Sequence, residues 1–322
     1  MKTSKKIAVI GATGKQGGSL IRAMLNHPES GFIPRAVVRD LNSDHAEVLK
    51  SQGVELVKGN LDDKQSIKVA FKGVYGAFCV TPYWEYVSPE REKMQAKVMA
   101  EAAHENGLKH VIWSTLEDTR QWIQQDDKRI PTLNGNYKVP HFDSKGESDR
   151  FFKELSVPTT FLRTTFYWEN LIDFNMEPRK NEDGNWYFSL PIGDKTLSGI
   201  SCKDIGKCAL GVFREGEQFI NKTIGIMGEK LTGKQMAEVM SRVLGKKVIF
   251  KVIPIEEYRR SEHPAAKDMA NMFQFMQDYA IEYSTIRSVK LARDLNPEML
   301  TFEEWLIDNK DHFRLEEPQP MV

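Results

Sequence analysis

The residues best able to do chemistry sit near the start of the chain, in Gly11-Ala12-Thr13-Gly14-Lys15-Gln16-Gly17. This glycine pattern follows a β-branched run, Lys6–Ile10, and opens a stretch of helical period, Gly17–Asn26. In that context each glycine has its own physical role, since Gly11 permits a tight turn, Gly14 lets the backbone approach a pyrophosphate, and Gly17 allows the helix to pack closely. The free N–H groups of a helix N-terminus then face the phosphates, so a dinucleotide is the expected ligand. The end of the second strand discriminates between dinucleotides, because an acid there takes a ribose 2′-OH and a base accommodates a 2′-phosphate. That strand ends Val37-Val38-Arg39, and a guanidinium pairs with phosphate through two N–H groups, which favours NADP(H). Asp40 follows at once and offers a sugar-binding carboxylate as the alternative. After the third strand, Asp62 reads either as an adenine contact or as the cap of the Lys64–Phe71 segment. Thr81 and Pro82 end the fourth strand, where open α/β sheets hold ligands.

The elements that must position these residues alternate short apolar runs with amphipathic stretches, the pattern of an α/β protein with a Rossmann-type, doubly wound parallel sheet. Strands are expected at Lys6–Ile10, Arg35–Val38, Val54–Lys58, Ala77–Val80, Val111–Ser114 and Pro158–Arg163. Helices are expected at Gly17–Asn26, Ala46–Gln52, Ser66–Phe71, Arg91–Asn106 and Phe142–Leu155, with Glu117–Asn136 as a polar surface excursion. Beyond Thr164 the rhythm breaks into Gly, Pro and aromatic residues, so residues 1–164 read as the nucleotide-binding domain and 165–322 as a smaller second domain. In the latter, Thr232 with Gln235 forms a capping box before Met236–Leu244, Val248–Ile253 alternates as a strand, Pro254 starts a helix, and Thr301 caps Thr301–Asn309 with Glu303 and Glu304 in its first turn.

Bulk properties narrow the function classes. With 322 residues, 40% apolar content and 45 basic against 45 acidic residues, the chain is a globular protein without the basic field that nucleic acid or an acidic membrane would attract. Three cysteines, Cys79, Cys202 and Cys208, form neither a disulfide framework nor a metal pair, so no metal is expected and a reducing compartment fits. The first residues enter a strand directly, and no apolar run nears the roughly 20 residues of a spanning helix, so the expectation is a cytoplasmic protein with no membrane association. No Gly-x-Ser-x-Gly elbow occurs, and Ser198-Gly199-Ile200-Ser201 is expected to lack a strand. Trp113, Trp122, Trp168 and Trp186 read as core or interface aromatics, and Arg259–His263 as a solvated helix face.

Taken together, GATGKQGG, VVRD, GNLDD, VTPYW at Val80–Trp84, HFDSKGE at His141–Glu147, FYWENL at Phe166–Leu171, LPIGD at Leu190–Asp194, DIG at Asp204–Gly206, ANMF at Ala270–Phe273 and TFEEWL resemble the NmrA-like family of atypical short-chain dehydrogenases/reductases. The similarity runs over nearly the whole chain and is strongest to NmrA-like family domain-containing redox-sensor proteins. It implies a Rossmann domain with an interleaved, smaller α+β C-terminal domain, residues about 192–228 returning to the first, and NADP(H) in the cleft between them. It further implies that Gly11, Thr13, Gly14, Lys15, Gln16 and Gly17 form the phosphate loop and that Arg39 holds the 2′-phosphate. Lys145 becomes the cofactor-facing lysine, and Tyr167 and Asn170 close over the nicotinamide. Such relatives sense nucleotide ratios and regulate protein partners; a homodimer and a nuclear location in a eukaryote stay open.

Reductases of the short-chain type use a tyrosine acid four residues before the lysine, on one helical face, with a Ser or Thr to orient the carbonyl. Here His141 stands four before Lys145, and Ser114 or Thr115 follows the fifth strand. Histidine can donate a proton near neutral pH, or serve only as a packed helix-start residue. Two functions therefore compete: an NADP(H)-binding redox sensor acting through protein partners, and an NADPH-dependent reductase of a small carbonyl, quinone or imine. An apolar cleft lined by Phe166, Trp168 and Tyr187 would favour the second. A third reading, a module that binds a transcription factor, involves no direct contact with DNA.

Overall fold

Short β-branched runs joined by amphipathic helices bury their apolar faces best as a parallel sheet covered on both sides, and the chain adopts that arrangement. The structure, a computed structural model, describes residues 4–315; the ends of the two expected domains, 1–3 and 316–322, lie outside the described residues. The first βα units comprise β1 (Lys5–Val9), α1 (Lys15–Asn26), β2 (Phe32–Val38), α2 (Asp44–Ser51), β3 (Glu55–Lys58) and α3 (Lys64–Ala70). They continue with β4 (Gly76–Cys79), the one-turn α4 (Tyr83–Tyr86), α5 (Pro89–Glu105), β5 (His110–Thr115), α6 (Pro140–Glu154) and β6 (Thr159–Arg163). Next come β7 (Phe166–Tyr167), α7 (Asn170–Asp173), β8 (Arg179–Lys180), β9 (Trp186–Leu190), β10 (Thr196–Ile200), α8 (Cys202–Glu215), β11 (Thr223–Ile226) and β12 (Glu229–Thr232). The chain closes with α9 (Gly233–Leu244), β13 (Val248–Val252), α10 (Ile255–Arg259), α11 (Ala266–Asp278), α12 (Ala280–Thr285), β14 (Arg287–Ser288), α13 (Val289–Leu295) and α14 (Phe302–Asn309).

Eight strands form the large sheet in the order β14-β11-β6-β5-β4-β1-β2-β3, with every neighbouring pair parallel. The order reverses between β1 and β4, and a crevice opens there at the carboxyl ends of the strands. Two three-stranded sheets, β12-β10-β7 and β13-β9-β8, build the second body. The bodies interleave, since α8 and β11 return to the large sheet from within residues 192–228, and β14 with α13 returns from a part that the sequence left in the second domain. Contact between α8 and α1 is backbone to backbone. A Cβ on Gly206 would lie 2.2 Å from Ser19 Oγ and 2.3 Å from Leu20 N. The Ser19 hydroxyl donates to Lys203 O at 2.9 Å and accepts from Gly206 N at 3.2 Å.

Both capping boxes form, Thr232 with Gln235 on α9 and Thr301 with Glu304 on α14. Three sequence expectations need correction. Ser198–Ile200 belongs to strand β10, and Ser201 caps α8; the run of small polar residues hid the strand. Asp63, not Asp62, caps α3, accepting from Gln65 N and Ser66 N. Arg259 is no solvated residue: its side chain is 11% exposed and donates to Glu256, to Arg129 O and to Asn271. Trp113, Trp168 and Trp186 are buried, whereas Trp122 is half-buried. No helix among the described residues is long and apolar enough to cross a membrane.

Behind β5, Asp149 accepts from Trp113 Nε1 at 3.0 Å and from Thr115 Oγ1 at 2.6 Å, both on one oxygen. Burial pushes its carboxyl up to about 6 from 3.8. A carboxyl raised in the folded state contributes stability below its unfolded value of 3.8 and loses it as the pH rises through about 6. Asp149→Asn keeps an acceptor for both donors and removes the ionisation. Its stability relative to wild type is expected to improve by about 1 kcal/mol between pH 5 and pH 7.5. Urea unfolding at the two pH values checks this, and an equal difference at both would refute it.

Candidate functional site

The crevice between β1 and β4 widens into a cavity of about 520 Å³, walled on one side by the sheet and on the other by α7 and α11. Its floor is the glycine loop. Gly11 holds a left-handed φ of +65°, and a Cβ on Gly17 would lie 2.4 Å from Gly11 O, so the start of α1 rests directly on the turn. No side chain caps α1 at Gly14, which leaves its first N–H groups to a ligand at the loop. Thr13, Lys15 and Gln16 line the same floor.

At the other end of the crevice Arg39 lines the cavity and donates to Glu85 and, at 3.2 Å, to the Tyr86 hydroxyl. The neighbouring alternative, Asp40, turns its carboxylate back onto Asn42 N at 2.9 Å. Asp62 is not in the lining: Arg91 and Gln95 claim its carboxylate, Gln95 at 3.0 Å, and Arg91 holds the carboxyl below its usual range. Asn60 and Leu61 line the cavity in its place.

Gln16 ties the loop to the far wall, accepting from Ser114 Oγ at 2.8 Å and donating to the Tyr167 hydroxyl at 2.7 Å. Burial raises that hydroxyl above its ordinary range and keeps it protonated. Lys15 reaches across to Asp173 at 2.8 Å, and Asn170 begins α7 beside it in the lining. Thr115 faces α6 and Asp149, so Ser114 is the hydroxyl of β5 that communicates with the site.

Lys145 and His141 occupy one face of α6, a turn apart. The Lys145 ammonium lies 2.8 Å from Glu92 Oε1 and donates to Thr81 Oγ1 at 2.6 Å. Thr81 in turn donates to Glu92 at 2.6 Å, and Ser144 donates to the other oxygen of that carboxylate. Glu92 is 2% exposed, so lysine and carboxylate form a nearly dry, paired unit. His141 Nδ1 sits 2.6 Å from Asp268 Oδ1, while Asp268 Oδ2 accepts from His141 N at 3.2 Å and from the Tyr83 hydroxyl at 2.9 Å. Burial, with Asp268 alongside, raises the Tyr83 hydroxyl well above its ordinary range, so it remains a donor.

Around His141 the described lining residues include an apolar group. Met269, Met272 and Met276 project from one face of α11 at a spacing of three and four residues, opposite Phe142, Phe166 and Leu116. Of the aromatic wall expected from sequence, Phe166 is present and two members are absent. Trp168 is buried against Gly199, Phe302 and Trp305, and Tyr187 bonds Asp183 at 2.6 Å on another surface. Sequence reasoning missed Glu92, Asp268 and the methionines. A lone carboxylate among the apolar residues 265–276 was the available signal for Asp268.

The model of the NmrA-like family matches residues 3–306. An NmrA-like family domain-containing protein of Dictyostelium discoideum is 27% identical over 318 residues, covering 94% of this chain and 97% of its own. An NmrA-like family domain-containing oxidoreductase of Aspergillus campestris is 32% identical over 292 residues, covering 84% of this chain and 81% of its own. The solved structure of NmrA, a negative transcriptional regulator, in complex with NADP covers 95% of both chains with a TM-score of 0.75; at 22% identity that likeness speaks for the fold. Since the match takes in the glycine loop, the returning elements β11 and β14 and the wall formed by α11, this chain belongs to the NmrA-like family.

Proposed function

We propose that the cleft binds NADP(H) and that the protein is an NADPH-dependent reductase of a neutral, apolar carbonyl, quinone or imine compound. The fit of the cofactor rests on the uncapped start of α1, on the close approach at Gly17 that leaves no room for a Cβ, and on the guanidinium of Arg39 at the adenosine end. The observation that carries the reaction is that His141 and Lys145 face the same cavity as a methionine and aromatic wall without charge. Such a wall accepts a neutral, polarisable body and rejects an anion, which would have to shed its water there.

A reduced nicotinamide held there would supply the hydride for the electrophilic carbon. His141 would pass a proton from Nε2 to the oxygen or nitrogen that gains the electron pair and take one back from water. Lys145, its charge balanced by Glu92, lines the cavity and would donate to the cofactor's sugar and so hold its reactive face in register. Ser114 and Tyr167, joined through Gln16, keep the phosphate loop aligned with that face.

Two ion pairs favour a second reading, that of a redox sensor acting on a protein partner. Lys15 pairs with Asp173, and Arg39 with Glu85, so phosphates entering the cleft exchange partners with carboxylates on the opposite wall. A surface segment near α7 would then respond to occupancy, and unequal affinity for NADP+ and NADPH would turn it into a sensor.

Calorimetric titration with NADP+, NADPH, NAD+ and NADH, together with NADPH oxidation across a panel of quinones, aldehydes and enones, tests both. Arg39→Ala is expected to weaken NADP(H) about 10- to 100-fold and NAD(H) only slightly, the loss of a charge-assisted pair. Equal losses for both would remove the 2′-phosphate role. Background oxidation over the whole panel would eliminate the reductase, and equal affinities for the two redox states would eliminate the sensor.

A further inference from the structure

We infer that Asp268 is a positioning residue that sets the tautomer of His141 and so makes its Nε2 the proton-transferring atom of the cleft. The inference rests on the reductase reading for its chemistry, though its geometry stands apart from it. Asp268 is 5% exposed on α11, between Ala266 and Met269 and among buried apolar neighbours. An acid in such a setting is costly unless it is fully hydrogen-bonded, and here three donors meet it: His141 N, His141 Nδ1 and the Tyr83 hydroxyl. These donors come from α6 and from the segment after β4, so one carboxylate of the second body grips two elements of the sheet body.

The two carboxylate oxygens have different work. Oδ2 accepts twice, from His141 N and Tyr83, while Oδ1 accepts only from the imidazole. Because a carboxylate can only accept, the ring must carry its hydrogen on Nδ1, and Nε2 is left as the nitrogen available to a reactant. When Nε2 takes up a proton, the same carboxylate stabilises the imidazolium, as an acid about to protonate a forming alkoxide requires. The other charged or titratable groups near the ring are already engaged. Tyr83 donates to Asp268, Lys145 is matched by Glu92, and Asp143 on the same helix accepts from Thr119, Lys138 N and Val139 N. Trp84, with its ring 4.7 Å from the imidazole, and Phe142 at the same distance restrict the ring's rotation. Asp268 also shares α11 with the methionine wall, so the group that orients the acid and the surface that seats the reactant move together.

Asp268→Asn discriminates sharply. Its single carbonyl oxygen satisfies the two donors at the Oδ2 position, which turns the amide NH2 toward Nδ1 and forces the hydrogen to Nε2. Long-range ¹H–¹⁵N spectra of histidine-labelled protein saturated with NADP+ at pH 8, assigned with His141→Gln, are expected to show the Nδ1–H form in wild type and the Nε2–H form in Asp268→Asn. NADP+ affinity is expected to stay within a few-fold, which reports an intact cleft. With NADPH and 9,10-phenanthrenequinone as the probe, kcat should fall about 10²- to 10⁴-fold with little change in KM. An Nε2–H ring in wild type, an unchanged ring in the variant, or an undiminished kcat overturns the role of Asp268. A wild type that turns over nothing overturns the reductase reading alone, since the spectra still decide how Asp268 holds the ring.

Discussion

Arg287→Ala is expected to remove about 3–5 kcal/mol of unfolding free energy, the cost of breaking a buried ion pair from one side. Arg287 lies in β14 at the edge of the large sheet, and neither it nor Glu117 has an exposed side-chain surface. Its guanidinium donates twice to Glu117, once at 2.9 Å, and also to Thr164 O at 2.8 Å and Tyr283 O at 2.6 Å. Desolvating two charges costs several kcal/mol, which the pair recovers only because these hydrogen bonds are all made. Alanine leaves the Glu117 carboxylate with Arg163, 3.8 Å away, as its remaining cation and removes the guanidinium bonds to Thr164 O and Tyr283 O. Denaturant unfolding measures the loss. The double variant Glu117→Leu with Arg287→Met is expected to recover most of it, because no charge is then left buried. A single variant within about 1 kcal/mol of wild type would refute this role for the pair. Thr164 and Tyr283 line the cleft, so nucleotide affinity should fall with stability.

Gly17→Ala carries the second large effect, this time on binding. The added Cβ would lie 2.4 Å from Gly11 O, 2.7 Å from Gly11 C and 2.7 Å from Ile10 O, all backbone atoms that no side-chain rotation can clear. Helix α1 must therefore lift off the turn. Overpacking of this kind costs about 1–3 kcal/mol or more of stability, and the displaced helix start aims its N–H groups away from the pyrophosphate. A loss of at least 100-fold in affinity for both NADP+ and NAD+ is expected by calorimetry, in contrast to the selective effect of Arg39→Ala. Gly18→Ala is the control: its nearest contact, Ala12 O at 3.1 Å, yields to a small shift, and the expected loss is less than tenfold. Comparable losses at the two glycines would show that the close approach at Gly17 has no special role.

What could be read from the amino acids alone was whatever local geometry imposes on neighbouring residues. The glycine loop announces itself because turn, backbone approach and helix contact fall within seven consecutive positions, Gly11–Gly17. The capping boxes at Thr232 and Thr301 are equally local, each closing over three residues. Strands β1 to β6 were legible because short apolar and β-branched runs recur between amphipathic stretches. Strands of two residues, β7, β8 and β14, carry no period at all, and β14 begins with a charged residue whose partner is 170 positions away. The site divides along the same line. Its phosphate end is a single segment, whereas its reactive end is assembled from distant pieces: Glu92 meets Lys145 from α5, and Asp268 meets His141 across 127 positions. Such pairings depend on how helices dock over the sheet, and docking is governed by packing of whole surfaces rather than by any neighbour in the chain. The glycine turn is thus written into seven neighbouring residues, whereas the pairing of Glu92 with Lys145 and of Asp268 with His141 exists only once the helices have docked.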